Sequence, residues 1–299
     1  MAGKQLCFAS RGFSLSFITL VFRDVHYTIN EQCTAGGNAP GKYPVCGAKE
    51  EMFLQARSLG TWREMSFLRL VTIAAAVLSA ALHAALATDD PYLQKRAAMV
   101  RDQIEREGVS DPRVLAAMRD VPRHLFVSPS FRAKAYEPYP LPIGEGQTIS
   151  QPYIVGFMTQ ILRLKETDRV LEVGTGSGYQ AAVAAKLVAE VYSVEILETL
   201  AVRSRRTLSD LGFRNVVVRL GDGYYGWEEK APFDAIIVTC AGGHIPPPLL
   251  RQLGNGGRMI MPVGGPFMTQ NLVFIEKDAR GSITHRNVLP VAFVRLLGH

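Results

Sequence analysis

The densest run of chemically suggestive residues is Glu172-Val-Gly174-Thr-Gly176-Ser-Gly178. Glycines at alternate positions let the backbone turn tightly and let a ligand approach without meeting a side chain. Val170-Leu-Glu-Val173 ahead of them reads as a short apolar strand, and Tyr179 to Val188 after them as an Ala-rich helix. The glycines therefore sit where a strand hands over to a helix, the place where open α/β sheets bind ligands. Glu195 stands twenty-one residues beyond Gly174, at the end of the next strand, Val191-Tyr-Ser-Val194. A carboxylate there can accept hydrogen bonds from both hydroxyls of a ribose. Asp222 and Gly223 follow a third strand, Val216-Val-Val218. Each signal also has a plainer reading: Glu172 as a solvent-facing strand residue, Glu195 as a cap of the next helix, Asp222 as a turn residue between glycines. Taken together, each at a strand end and in order, they point to a nucleoside-bearing ligand.

Two cofactor classes use such a turn. The dinucleotide pattern G-x-G-x-x-G wants a third glycine where this chain has Tyr179. The observed spacing is G-x-G-x-G, with an acid two residues before it. That form resembles S-adenosylmethionine-dependent methyltransferases. Their cofactor carries no phosphate, and its ammonium can be met by turn backbone and a nearby carboxylate. The resemblance implies cofactor-binding roles for Glu172, Gly174, Gly176, Gly178 and Glu195. It places the adenine near Gly221-Asp222-Gly223.

The surrounding pattern supplies the elements that must hold these residues. Asp89-Asp90-Pro91 reads as a helix start. Leu93, Ala97, Val100 and Ile104 recur at helical spacing up to Gly108. Ser110-Asp-Pro112 opens a second helix ending near Val121-Pro122, and residues 90 to 165 read as a helical cap ahead of the sheet. Beyond it come a helix over 197–211, a fourth strand at Ala235-Ile-Ile-Val238, a short helix over 249–253 and a fifth strand at Met259-Ile-Met261. Leu272-Val-Phe-Ile275, a turn near Gly281 and Val288-Leu-Pro-Val291 predict closing antiparallel strands. Alternating strands and helices of this length imply a mostly parallel, doubly wound α/β sheet, the Rossmann-like arrangement of class I methyltransferases.

A stretch ahead of the sheet narrows the resemblance. Leu141-Pro-Ile-Gly144-Glu-Gly146-Gln147-Thr148-Ile149-Ser150-Gln151-Pro152 is similar to the isoaspartyl methyltransferase family. So are Val121-Pro122-Arg123-His-Leu-Phe126-Val127, Pro232-Phe233-Asp234-Ala-Ile-Ile-Val238-Thr239 and Gly256-Gly257-Arg-Met-Ile-Met-Pro262-Val263-Gly264. The similarity runs from about residue 92 to residue 296. It implies that Ser150 is the active-site residue and that Thr148 joins the cofactor site. It implies methyl transfer to the free carboxylate of L-isoaspartyl, and also D-aspartyl, residues in damaged proteins, with repair through a succinimide. The implied partners are flexible peptide segments, with no nucleic acid, and the implied state is a monomer in the cytoplasm. The physics is compatible: Pro152 suits the first turn of a helix running to Leu162, and Ser150 beside that end meets a field that favours an anion. Ser150 and Thr148 could also simply satisfy local backbone groups. One departure is Arg295, where the family commonly has Pro in a stretch that helps close the substrate site.

Rival readings find less support. Base-N6 methyltransferases carry an Asp/Asn-Pro-Pro-aromatic motif after the fourth strand, where this chain reads Thr239-Cys240-Ala241-Gly242; a C5-type enzyme wants Pro-Cys there. His244 reads as a loop histidine. A cofactor-binding homologue without turnover stays open, and calorimetry followed by a methyl-transfer assay separates it from an enzyme. The 299 residues are 47% hydrophobic and 20% charged with a net charge of +6, ordinary for a globular protein and not a nucleic-acid signature. No Cys/His cluster shows zinc spacing, and with only Cys240 beyond the first 64 residues the domain cannot depend on an internal disulfide.

The N-terminal part reads differently. Residues 1–64 lack a sustained period and are expected to be a poorly structured extension, an over-extended gene start. Residues 65–88 combine Met65, Arg69, an apolar run from Leu70 to Ala87 and a small-residue end, which reads as a signal peptide; a membrane anchor or a packed helix are the rivals. Cleavage there implies export to the periplasm, where S-adenosylmethionine has no evident supply. The methyltransferase domain is expected over 89–299.

Overall fold

The computed structural model describes residues 90–265 and 269–298, with Thr72 ahead of them. The chain divides into two units, Met1–Leu78 and Ser79–His299, and the second carries everything below. The segments 1–64 and 65–88 lie, Thr72 apart, outside the described residues. Among those described, no helix is long and apolar enough to cross a membrane.

The cap opens with α1 (Leu93–Met99), continued by a wider π-helical turn, Val100–Glu105. The helix starts two residues later than its Pro91 suggests, because Asp90 spends its carboxylate on the Tyr92 N–H (2.9 Å) and on Arg96 (3.0 Å). Helix α2 (Pro112–Asp120) follows the expected rule: Asp111 caps it by accepting from the Arg113 N–H at 2.8 Å, and Pro112 needs no partner for an N–H it lacks. The cap is not all helical. Leu141–Gly144 (β1) pairs antiparallel with Gln147–Ile149 (β2), turning through Gly144-Glu145-Gly146, all three at positive φ. Leu141, Ile143 and Ile149 point inward while their neighbours face out, a period of two that overrides a helical reading. Helix α3 (Pro152–Ile161) then leads to the sheet.

The sheet has seven strands: β3 (Arg169–Val173), β4 (Glu190–Glu195), β5 (Val216–Leu220), β6 (Phe233–Val238), β7 (Leu253–Val263), β8 (Gln270–Lys277) and β9 (Ile283–Val291). Their spatial order is β5-β4-β3-β6-β7-β8-β9, with the first five parallel and β8 and β9 antiparallel. The crossovers use α4 (Tyr179–Ala185), α5 (Glu198–Asp210) and the short α6 (Pro247–Gln252). Strand β7 begins well before the expected Met259, because Leu253 already pairs with Phe233 and the glycines that follow are absorbed as a bulge. The β8–β9 turn is tied by Asp278, whose Oδ1 accepts from the N–H groups of Arg280 and Ser282.

Side chains alternate across this sheet, so each face has its own core. Val170, Val191, Ala235 and Ile237 pack against the cap and α4, while Leu171, Val173, Tyr192, Val194, Ile236 and Val238 pack on the opposite face. Burial on both faces explains why the parallel strands read as unbroken apolar runs. It also puts Glu172, Ser193 and Glu195 on the buried face with Val170 and Val191, which has consequences below. Replacing Asp111 with Ala should cost about 1 kcal/mol in chemical denaturation, the usual worth of a lost N-cap, and a loss near zero would show that α2 is held by packing alone.

Candidate active site

The carboxyl ends of β3, β4 and β6 finish at one level because their exit loops bond to one another. Gly174 N–H donates to Val194 O at 2.9 Å, and Thr239 N–H donates to Val173 O at 2.9 Å. The chain leaves β3 with Gly174 at φ +91°, and a Cβ there would fall 2.6 Å from Thr239 Oγ1. The turn thus needs glycine both for its conformation and for its close neighbour.

A crevice opens above these strand ends. Gly174, Gly176, Glu195, Gly223, Thr148 and Thr239 all line it. Glu195 is buried and held twice: Oε2 accepts from Gly176 N–H at 2.7 Å and Oε1 from Leu197 N–H at 3.0 Å. A carboxylate has about four lone-pair sites, so two bonds to backbone leave capacity for a diol while fixing the group's orientation. Val173, Val194, Ile196 and Leu197 supply apolar walls beside it. An acceptor pair for a ribose, a side-chain-free cradle and apolar walls for a flat base fit an S-adenosyl nucleoside. Among the described residues, no group of three or more His, Cys, Asp or Glu could hold a metal ion.

A second cavity of about 530 Å³ adjoins the first. Thr148, Ser150, Gln151, Ile154, Phe293 and Val294 are among its walls. Ser150 is half-buried just ahead of α3, whose first turn receives no side-chain cap. It also lines a small cleft with Gly174, Gly176 and Thr239, so it faces both cavities. Thr148, Thr239 and Val294 form the common wall.

Two expected ligand contacts are placed elsewhere. Glu172 does not line the crevice: strand alternation turns it into the core, where its Oε2 is hydrogen-bonded to Ser193 Oγ. Burial pushes its carboxyl up to about 8, with the like charge of Glu195 adding to the effect. Gly178 serves packing, since a Cβ there would stand 3.2 Å from Leu208 on α5. Asp222, half-buried one residue before Gly223, accepts at Oδ1 from the Tyr224 N–H at 2.9 Å, the turn role its glycine neighbours suggested.

One contributor went unrecognised in the sequence, and another, the C-terminal stretch, was expected at the substrate site alone. Thr239 touches all three hollows and donates through its hydroxyl to Gly174 O at 2.6 Å. Its signals were its place at the end of the strand beside β3 and the family-like stretch that ends on it, neither of which assigns it a role. The C-terminal stretch Val294–Leu297 also walls the crevice, docked by hydrogen bonds from Ala241 N–H to Val294 O and from Leu296 N–H to Ala241 O, both 2.8 Å. Cys240 is buried beside the turn, and burial pushes its thiol up to about 12, which removes it as a nucleophile.

Comparison with known proteins agrees with this geometry. Residues 94–299 match the family described as Protein-L-isoaspartate(D-aspartate) O-methyltransferase (PCMT). The chain is 58% identical over 221 residues to Protein-L-isoaspartate O-methyltransferase 2 of Syntrophobacter fumaroxidans, covering 71% of this chain and 90% of that one. It is 55% identical over 208 residues to the protein of the same name from a Polaromonas species, covering 69% and 99%. Among solved structures, a protein-L-isoaspartate O-methyltransferase aligns with a TM-score of 0.63 at 30% identity, covering 69% of this chain and 66% of that chain. A β-aspartate methyltransferase from Plasmodium falciparum, solved in complex with S-adenosyl-L-homocysteine, aligns with a TM-score of 0.59 at 26% identity, covering 68% and 98%.

Truncating Glu195 to Ala removes both backbone tethers and the acceptor pair. One hydrogen bond to a charged group contributes about 1.5–3 kcal/mol, so calorimetry with S-adenosylhomocysteine should show a Kd raised at least roughly tenfold to a hundredfold. An unchanged Kd would remove Glu195 from the nucleoside site.

Proposed function

The chain belongs to the protein-L-isoaspartate(D-aspartate) O-methyltransferase family, and from that membership we propose how its residues divide the work. The enzyme transfers a methyl group from S-adenosylmethionine to isoaspartyl residues of damaged proteins. The observation that supports our division of roles is the shared wall: Thr148 and Thr239 line both the crevice and the larger cavity, and Ser150 faces the junction.

S-adenosylmethionine, when bound, supplies a methyl group on a positively charged sulfur, an electrophile that needs no further activation. Gly174 and Gly176 would leave room for it, Glu195 would grip its ribose, and Gly223 would border its base. The acceptor is a carboxylate with an ordinary pKa of roughly 3.3–3.7, ionised at neutral pH, so the protein needs no general base. Its task is to orient the acceptor oxygen and to exclude water. Ser150 donates one hydroxyl hydrogen bond to the acceptor carboxylate. The uncapped first turn of α3 adds backbone N–H groups and a favourable field at the same place. A single neutral donor orients the carboxylate without withdrawing much of its nucleophilicity. Positioning of this kind can contribute about 7–11 kcal/mol in favourable cases.

The larger cavity takes the peptide. Ile154, Val291 and Phe293 give it apolar walls, so the acceptor side chain is presented from an extended, locally flexible segment rather than from folded structure. Methylation turns a poor leaving group into a good one. The neighbouring backbone nitrogen then displaces methanol to close a succinimide, and ring hydrolysis returns part of the material to a normal aspartyl linkage. We take the enzyme to act as a monomer without nucleic acid or stable membrane association, and in the cytoplasm, where its methyl donor is made. N-terminal sequencing of the mature protein checks that placement: a start after residue 88 would show processing at the apolar segment and move the enzyme to an exported compartment.

Purified protein should transfer label from S-adenosylmethionine to an isoaspartyl peptide and not to its aspartyl twin; equal labelling of both would overturn the assigned specificity. Ser150→Ala should lower kcat by about tenfold to a hundredfold, the worth of one hydrogen bond to a charged group, while the Kd for S-adenosylhomocysteine stays within about twofold. An unchanged kcat would remove Ser150 from the acceptor site.

A further inference from the structure

Beneath the glycine turn lies a buried line of three polar side chains that the reaction does not use. Glu172 on β3, Ser193 on β4 and Thr175 in the turn are all buried. Thr175 Oγ1 lies 2.5 Å from Ser193 Oγ, and Ser193 Oγ is in turn hydrogen-bonded to Glu172 Oε2. The pairing of β3 with β4 sets this up, because Glu172 and Ser193 are direct partners in the parallel register. The far end of the line reaches the site: Thr175 lines the small cleft together with Ser150, Gly174 and Gly176. Glu172 Oε1, at the near end, is buried without a hydrogen-bond partner. A charged carboxylate in that position would leave half its acceptor capacity unsatisfied, which is costly in the interior.

We propose that Glu172 is a positioning residue that works as a neutral carboxylic acid, orienting the Thr175 hydroxyl toward the cleft through Ser193. The direction of the hydrogen bonds carries the argument. When Glu172 is protonated, its O–H donates to Ser193 Oγ, Ser193 donates to Thr175 Oγ1, and the Thr175 proton is left to serve the cleft. When Glu172 is ionised it can only accept, so Ser193 donates to it, Thr175 donates to Ser193, and the Thr175 proton is turned away from the site. A ligand group in that cleft would then lose a donor. This rests on the reading that an S-adenosyl cofactor sits on the glycine turn.

The surroundings favour the neutral form. Burial is the largest cause that raises the Glu172 carboxyl to about 8, and the charged group facing it from β4 is Glu195, of like sign. The Ala181 backbone N–H from α4 and the Ser193 hydroxyl pull the other way but are outweighed by burial, and the neighbouring Gln180 amide is spent on Thr159 Oγ1 at 2.9 Å. Cys240, beyond β6, is held as a neutral thiol. A carboxyl raised from its ordinary 4.5 to about 8 on folding lends stability that is full below pH 4.5 and is lost as the pH rises through 8.

The test uses the full chain, S-adenosylhomocysteine as probe, and calorimetry at pH 6.5 and pH 9 on wild type, Glu172→Gln and Ser193→Ala, each checked for folding by circular dichroism. Glutamine keeps a donor to Ser193 and does not titrate. At pH 6.5, Glu172→Gln should bind within about twofold of wild type, whereas Ser193→Ala, with the line cut, should bind about tenfold more weakly. At pH 9 wild type should weaken severalfold and Glu172→Gln should not. The melting temperature of wild type should fall relative to Glu172→Gln over the same interval. Parallel pH profiles for wild type and Glu172→Gln, or wild-type affinity in Ser193→Ala, would overturn the proposal. Failure of wild type to bind the probe at either pH would overturn the cofactor reading itself, and this proposal with it.

Discussion

The site depends on the absence of one carbon atom. At Gly174 the chain must leave β3, accept the Thr239 hydroxyl against its carbonyl and keep its N–H on Val194 O. Any side chain there would collide with Thr239, and relief would push apart the ends of β3 and β6. Because those two strands are direct neighbours in the sheet, the displacement would reach Glu195 on one side and the Ala241 dock of the C-terminal stretch on the other. The crevice, its acceptor pair and its outer wall are therefore set by one backbone geometry. The rest of the fold maintains it: two apolar cores clamp the sheet from both faces and leave the strand ends no freedom to slide.

The same constraint explains why two carboxylates a short distance apart can serve different ends. Glu195 ends its strand beside the loop and meets two backbone N–H groups, donors that hold an acceptor in a fixed orientation. Glu172 lies further down β3, beyond the reach of that loop, and meets a hydroxyl that can donate or accept. One environment suits a group that grips a diol, the other a group that passes orientation along a line of hydroxyls. Environment rather than residue type separates the roles.

Much of this architecture was legible in the residues, for physical reasons. Strands buried on both faces must be apolar throughout, so β3, β4 and β6 announce themselves at Val170, Val191 and Ala235. Asp111-Pro112 marks a helix start because capping chemistry is local. The hairpin β1–β2 was not legible because its strands, four and three residues long, are too short for alternation to stand out around the turn Gly144-Glu145-Gly146. Glu172 and Gly178 were expected at the ligand because a linear motif does not say which face of a strand or helix each residue takes. Thr239 stayed hidden for the converse reason. A threonine at a strand end has no composition signal, and only the parallel register of β6 with β3 brings its hydroxyl to the glycine turn.

The shared wall bears on how the two ligands must influence each other. Thr239 holds Gly174 with one atom and borders the peptide cavity with the same side chain. Val294 belongs to both cavities and is docked through its carbonyl on the Ala241 N–H. Phe293, one residue earlier, is fixed by Gln270, which accepts its N–H at 2.6 Å and donates to its carbonyl at 3.1 Å. The segment from Phe293 to Leu296 is therefore braced at two points and cannot yield to one ligand without moving against the other. Coupling between sites requires a common element whose state both ligands bias, and the backbone from Phe293 to Leu296, which borders both cavities, is where such an element would lie. Arg295 lies within this braced segment and lines the crevice, its backbone held there by the bridge to Ala241.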